Sequence, residues 1–200
     1  MAEKEKDAFF DDDLYDDDED TMENVYLTFA LEDREYGLEV KNVIEITGIK
    51  SITEVPDMPR YVKGIMNLRG KIIPLVDVRL RFNNSEQEYT ERTCVIIVSL
   101  NDMLVGLIVD GVSEVLRIAE NQMEKSPSIG GNSSSRFIQA IGKVDEGVKL
   151  ILNLENFLGE GDIKAIETAQ AMVDSSAYED ENEEEVIDHS VSKEDELVKT

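Results

Sequence analysis

The 200-residue chain has one cysteine, one histidine, four prolines and no tryptophan. A single thiol, Cys94, excludes an internal disulfide and fits a reducing compartment. With His189 as the sole imidazole, there is no histidine cluster to hold a catalytic metal. No apolar run is long enough to span a bilayer, and the acidic N-terminus lacks a hydrophobic signal core. Basic residues are also scarce: 20 Lys and Arg stand against 45 Asp and Glu, a net charge of −25. Such a chain lacks the basic patch that neutralises phosphates, so nucleic acid is excluded as a partner and an anionic membrane surface is disfavoured. These absences lead to an expectation of a soluble cytoplasmic protein without membrane insertion.

The charge that is present is unevenly spread. Residues 25–160 carry 20 acidic and 15 basic side chains, leaving −20 on the two ends. Residues 1–24 include Asp11–Asp13 and Asp16–Asp20. Like charges this dense repel, and too few apolar groups offset the ordering entropy, so disorder is expected there. The Asp11–Asp20 run lacks the spaced ligands and turn glycine of an EF-hand loop, and reads as solvated charge. Between 25 and 160, short β-branched and aromatic runs alternate with turn residues. Strands are expected over Val25–Leu31, Tyr36–Val40, Val43–Ile49, Gly64–Leu68, Lys71–Val76, Thr93–Leu100, Met103–Val109, Val112–Ile118, Phe137–Val144 and Val148–Leu152. Asp77 and Asn153 are positioned to cap short helices. Ser126–Ser135, rich in Gly and Ser, reads as a flexible loop, and a helical pattern runs over Ile163–Val173 before an acidic tail. Many short strands and almost no long helix predict a mainly β fold of small barrels.

Two segments match at an offset of 69 residues. Gly37-Leu38-Glu39-Val40-Lys41-Asn42-Val43-Ile44-Glu45-Ile46 aligns with Gly106-Leu107-Ile108-Val109-Asp110-Gly111-Val112-Ser113-Glu114-Val115. At a slightly longer offset, Leu75-Val76-Asp77-Val78 aligns with Ile151-Leu152-Asn153-Leu154. Matches in the same order point to one β unit used twice. About five short strands per unit are too few for a large core alone, so the halves are expected to pack together. The groove between them and the outer strand edges are then natural binding surfaces.

The segment Tyr61-Val62-Lys63-Gly64-Ile65-Met66-Asn67-Leu68-Arg69-Gly70-Lys71-Ile72-Ile73-Pro74-Leu75-Val76-Asp77 resembles the signature of CheW-like domains: a glycine, Asn-Leu-Arg-Gly, and an aliphatic run into Pro-x-Val-Asp. Glu35-Tyr36-Gly37, Val43-Ile44-Glu45-Ile46 and Val109-Asp110-Gly111-Val112 resemble the same family in the same order, so the likeness covers roughly 22–160. The resemblance implies two pseudo-symmetric five-stranded SH3-like barrels, with short helices and strands of the two halves exchanged; the acidic extensions at 1–24 and 161–200 depart from the compact family pattern, and the resemblance assigns them no role. It also implies a non-enzymatic adaptor without cofactor or metal. Such an adaptor couples the regulatory domain of the histidine kinase CheA to the cytoplasmic tip of chemoreceptors, in arrays at the inner face of the membrane. The same domain serving a non-flagellar array, in surface motility or development, is the alternative. By position, the resemblance places Val40, Val43, Glu45, Gly64, Arg69, Gly106 and Val115 at partner-binding sites.

The residues themselves leave other roles open. Arg69 is a turn arginine that either pairs internally with Glu45 or offers its guanidinium to a receptor, and both hold if the pair shapes the groove. Gly64, Gly70, Gly106 and Gly111 permit positive φ or close strand packing, and Gly64 and Gly106 also keep a binding face flat. Composition alone makes Val40, Val43 and Val115 core residues. Cys94, within a strand and without a nearby histidine, reads as a buried inert thiol. Gly130-Gly131 lacks the strand–Gly-x-x-x-x-Gly-Lys–helix context of a phosphate loop. A metal-dependent hydrolase built on acidic ligands is the hypothesis of another class, and ligand spacing speaks against it.

Overall fold

A computed structural model describes residues 22–125, 135–144, 147–159, 161, 163, 164 and 166–168. Eleven strands appear in chain order: β1 (Val25–Leu31), β2 (Arg34–Glu39), β3 (Val43–Gly48), β4 (Val62–Leu68), β5 (Lys71–Asp77), β6 (Cys94–Leu100), β7 (Met103–Val109), β8 (Gly111–Arg117), β9 (Met123–Lys125), β10 (Ile138–Val144) and β11 (Gly147–Leu152). Two four-residue helices, α1 (Val78–Arg81) and α2 (Leu154–Phe157), follow β5 and β11. The expected Asx caps form: the Asp77 carboxylate accepts the Leu80 N–H at 3.0 Å, and Asn153 Oδ1 accepts that of Asn156 at 2.7 Å. Strand β9 was not foreseen, since three residues of Met-Glu-Lys carry no alternation. The expected N-terminal disorder and the Ser126–Ser135 loop fall almost wholly outside the described residues, as does His189.

The strands form two sheets, ordered β8-β1-β2-β11-β10-β9 and β3-β6-β7-β5-β4. The sequence repeat aligns β1 with β6, β2 with β7, β3 with β8, and β5 with β11, and the two ladders then read in the same order. Each sheet mixes halves: β3 leaves β2 to join β6, and β8 leaves β7 to join β1. Local geometry repeats as well. Bulges interrupt β3 against β6 between Val43 and Glu45, and β8 against β1 beside Leu27 and Phe29. Parallel pairs set Gly106 beside Leu75 and Gly37 beside Ile151. The expectation of a mainly β fold in two halves is met as two sheets, of six and five strands. Among the described residues no ladder joins β3 to β4 or β8 to β9, and a single bridge, Thr53 with Ile65, approaches β4 from the loop after β3.

The largest core lies between the sheets. Leu27, Phe29, Leu31 and Leu38 from the first meet Ile96, Val98, Val105, Leu107 and Val109 from the second. Phe29, Tyr36, Phe82, Phe137 and Phe157 run through it as ring contacts with centroids 5.1–5.7 Å apart. Each fully buried ring contributes about 1.5–3 kcal/mol by area alone, so this shared layer resists separation of the sheets. Ile166, from the helical segment beyond residue 160, is also fully buried in this core. Smaller clusters fill the far side of each sheet: Met66, Leu68, Ile73, Leu75, Val95, Ile97 and Ile108 behind one, and Tyr26, Ile118, Ala140 and Ile151 behind the other.

Candidate partner-docking site

Among the described residues strand β3 is an edge, hydrogen-bonded to β6 on one side only. Its residues alternate between half-buried and exposed, yet the exposed set is apolar: Ile44 is 56% and Ile46 46% accessible. An edge with large aliphatic side chains and unpaired backbone groups invites a partner chain, so such exposure marks an interaction surface. The rim of this edge is polar. Glu45 lies opposite Ile97, and its carboxylate meets the Arg69 guanidinium at 3.2 Å. Arg69 is carried there by the two-residue β4–β5 turn, in which Arg69 and Gly70 have φ of 54° and 85°. The Asn67 carboxamide oxygen accepts the Gly70 N–H at 2.9 Å and pins that turn. The Arg69 side chain is 80% exposed, so most of its donors face solvent.

Strand β8 presents the repeated version. Glu114 stands where Glu45 stands, and Val115, 59% exposed, where Ile46 stands. Its carboxylate meets a different cation: Lys149 approaches Glu114 at 3.6 Å and also pairs closely with Glu35. By register Ile46 neighbours Ile96, and Val115 neighbours Leu27, both residues of the shared core. The two exposed side chains therefore stand at the margins of the cleft between the sheets. Val40 and Val43 pack half-buried against the same core where the chain passes from β2 to β3.

The structure thus brings Val40, Val43 and Val115 to the inter-sheet core and its margin, with Glu45 and Arg69 at the rim of β3. Gly64 and Gly106 are buried and act from beneath. At Gly64, φ is 132° and a Cβ would fall 2.2 Å from the Thr53 carbonyl oxygen; at Gly106 it would meet Leu75 Cδ2 at 2.5 Å. Their role is close backbone approach, which sets the shape of the surface rather than its chemistry. Val115, apolar enough to read as core from composition, is exposed because β8 ends its ladder. Cys94 is half-buried rather than fully buried, and burial pushes its thiol pKa up despite a backbone hydrogen bond near Val112. Sequence reasoning missed Ile44 and Ile46 as surface residues. The available signal was the apolar–Glu–apolar order around Glu45, which puts a carboxylate on the opposite side from two isoleucines.

No helix among the described residues is long and apolar enough to cross a membrane. A family model described as "CheW-like domain" matches residues 25–161. The chain is 30% identical over 148 residues to "Chemotaxis protein CheW" of Klebsiella aerogenes, covering 74% of this chain and 89% of that one. It is 23% identical over 135 residues to "Protein FrzA" of Myxococcus xanthus, covering 68% and 83%. The crystal structure of scaffolding protein TtCheW from Thermoanaerobacter tengcongensis superposes with a TM-score of 0.65 at 34% identity, covering 70% of this chain and 94% of that one. The sheet order, the repeated edge strands and these matches agree: the chain is a member of the CheW-like domain family.

Proposed function

We propose that the protein is a non-enzymatic chemotaxis adaptor, joining the regulatory domain of a CheA-type histidine kinase to the cytoplasmic tip of chemoreceptors on the inner side of the membrane. The observation that carries this reading is the apolar edge strand β3, with Ile44 and Ile46 exposed and the Glu45–Arg69 pair at its rim, in a CheW-family fold. Two related edge strands, β3 and β8, stand at the ends of different ladders and flank the inter-sheet cleft, which gives one molecule more than one surface on which to hold two partners at once. Linking them raises their effective concentration, and a receptor whose two states bind the cleft unequally then biases the kinase. Val40, Val43 and Val115 are assigned to the cleft, and Glu45 and Arg69 to the rim, with Gly64 and Gly106 supporting both from below.

The test is binding of the full chain to the regulatory domain of the CheA from the same cell, with wild type, Glu45→Ala and Arg69→Ala. Wild-type binding that weakens in a folded variant is expected. No binding by wild type overturns the coupling to that kinase. A second reading keeps the fold and changes the output to a non-flagellar array, and the match to a family member not named CheW favours keeping it in view. Binding to a different kinase of the same cell would establish it.

A further inference from the structure

The bulges in β3 and β8 fall at the same place in the repeat, but they are held differently. In β8, Leu27 pairs with Val115 and Phe29 with Val112, so Thr28 alone falls opposite both Ser113 and Glu114. Thr28 is fully buried, and its hydroxyl accepts the Glu114 N–H at 3.2 Å and donates to the Glu114 carbonyl at 3.0 Å. One side-chain oxygen thus serves both main-chain groups of a residue 86 positions away. In β3 the 69-residue offset puts Ile97, a buried residue without a hydroxyl, where Thr28 stands.

The side-chain pattern follows this difference. Strand β3 keeps strict alternation, with Ile44 and Ile46 exposed and Glu45 half-buried between them. In β8, Ser113, Glu114 and Val115 are exposed in succession, a run that regular alternation does not give. The run makes contacts of its own: Ser113 donates to Glu35 at 3.2 Å, and Lys149 lies 3.6 Å from Glu114. Without the Thr28 hydroxyl, the Glu114 N–H and carbonyl regain partners only from the β1 main chain. Regular pairing then returns, and with it the alternation that turns Glu114 inward.

We infer that Thr28 is the positioning residue of the β8 edge: its buried hydroxyl holds open the bulge that presents Ser113, Glu114 and Val115 together. The inference rests on the adaptor reading only in that β8 is one of the edges offered to partners. Its test uses neither kinase nor receptor, so the two readings fail separately. Thr28→Val, which keeps the shape and loses the hydroxyl, and Thr28→Ser, which keeps the hydroxyl, are compared with wild type as full chains by NMR. In Thr28→Val, amide exchange at Glu114 should quicken about tenfold, while Thr28→Ser stays within about twofold of wild type. The Leu27–Val115 cross-strand contact should be lost in Thr28→Val alone, as should the relaxation that a soluble paramagnetic probe induces in the Val115 methyls. Glu45 and Ile46 in β3 should not change, whereas a residue that only adds stability would quicken exchange in both edges alike. In wild type, the Thr28 hydroxyl proton should exchange slowly enough to give its own resonance, with a cross-peak to the Glu114 amide. Equal acceleration at β3 and β8, an unchanged β8 in folded Thr28→Val, or no recovery in Thr28→Ser overturns the proposal. A missing hydroxyl resonance overturns it even if Thr28→Val does not fold.

Discussion

The Arg69 guanidinium meets the Glu45 carboxylate at 3.2 Å, tying the β4–β5 turn to edge strand β3 across 24 positions of sequence. Both strands belong to one sheet, yet they sit at its opposite ends, so this contact spans the open side of the ladder. Because Arg69 is 80% exposed, water competes for every hydrogen bond in the pair.

That exposure sets the first expectation. Arg69→Ala and Glu45→Ala should each change unfolding free energy by less than about 1 kcal/mol, since exposed ion pairs contribute little. Partner affinity should fall in the same variants. Denaturant unfolding checks the first statement, and a loss well above that limit would make the pair structural.

Arg79 should behave in the opposite way. Its side chain is 8% exposed and bonds both Glu32 and Asp110, holding the β1–β2 turn of one sheet against the β7–β8 crossing of the other. Arg79→Ala removes a buried guanidinium and its hydrogen bonds to two carboxylates that water still reaches, and should cost about 1–3 kcal/mol. Thermal unfolding beside Arg69→Ala measures the contrast.

The glycines supply a second contrast. Gly70 has open space around its missing Cβ, so Gly70→Ala should cost only the left-handed backbone penalty, about 1 kcal/mol. In Gly64→Ala the new methyl meets the Thr53 carbonyl oxygen, and the backbone lies where L residues are strained. A loss of about 3 kcal/mol or more is expected, with the Thr53–Ile65 bridge broken. Amide exchange at Thr53 and Ile65 reads that bridge directly.

Glu39 makes stability depend on pH. Burial opposes its charged form, but hydrogen bonds from Lys41 and Gln139 outweigh this and hold its carboxyl below the usual 4.5. A depressed folded pKa means a contribution that is complete above about pH 4.5 and is lost as pH falls through the folded value. The stability difference between wild type and Glu39→Gln should therefore be constant at neutral pH and shrink below pH 4.5. Tyr89 governs the alkaline side. Burial, reinforced by the Asp77 carboxylate, raises its phenol above the usual 10.0, so its contribution is lost as pH rises past that value, and Tyr89→Phe should remove that loss. Urea midpoints measured across both ranges test the two signs.

Much of this was legible along the chain. The strands from Val25 to Leu152, the two Asx caps and the repeat that aligns Glu45 with Glu114 all rest on local pattern, where alternation and capping chemistry act within a few residues. The site was legible in part. Arg69 and Glu45 stand out in their motifs, whereas Ile44 and Ile46 look no different from the core isoleucines at 96 and 97.

What the sequence alone determined, then, is the set of short strands, their duplication and their alternation, because those depend on neighbours in the chain. Tertiary structure decided which sheet each strand joins, and therefore which face of it is covered. The exchange of β3 and β8 leaves Ile46 and Val115 exposed at ladder ends while equally apolar residues are buried.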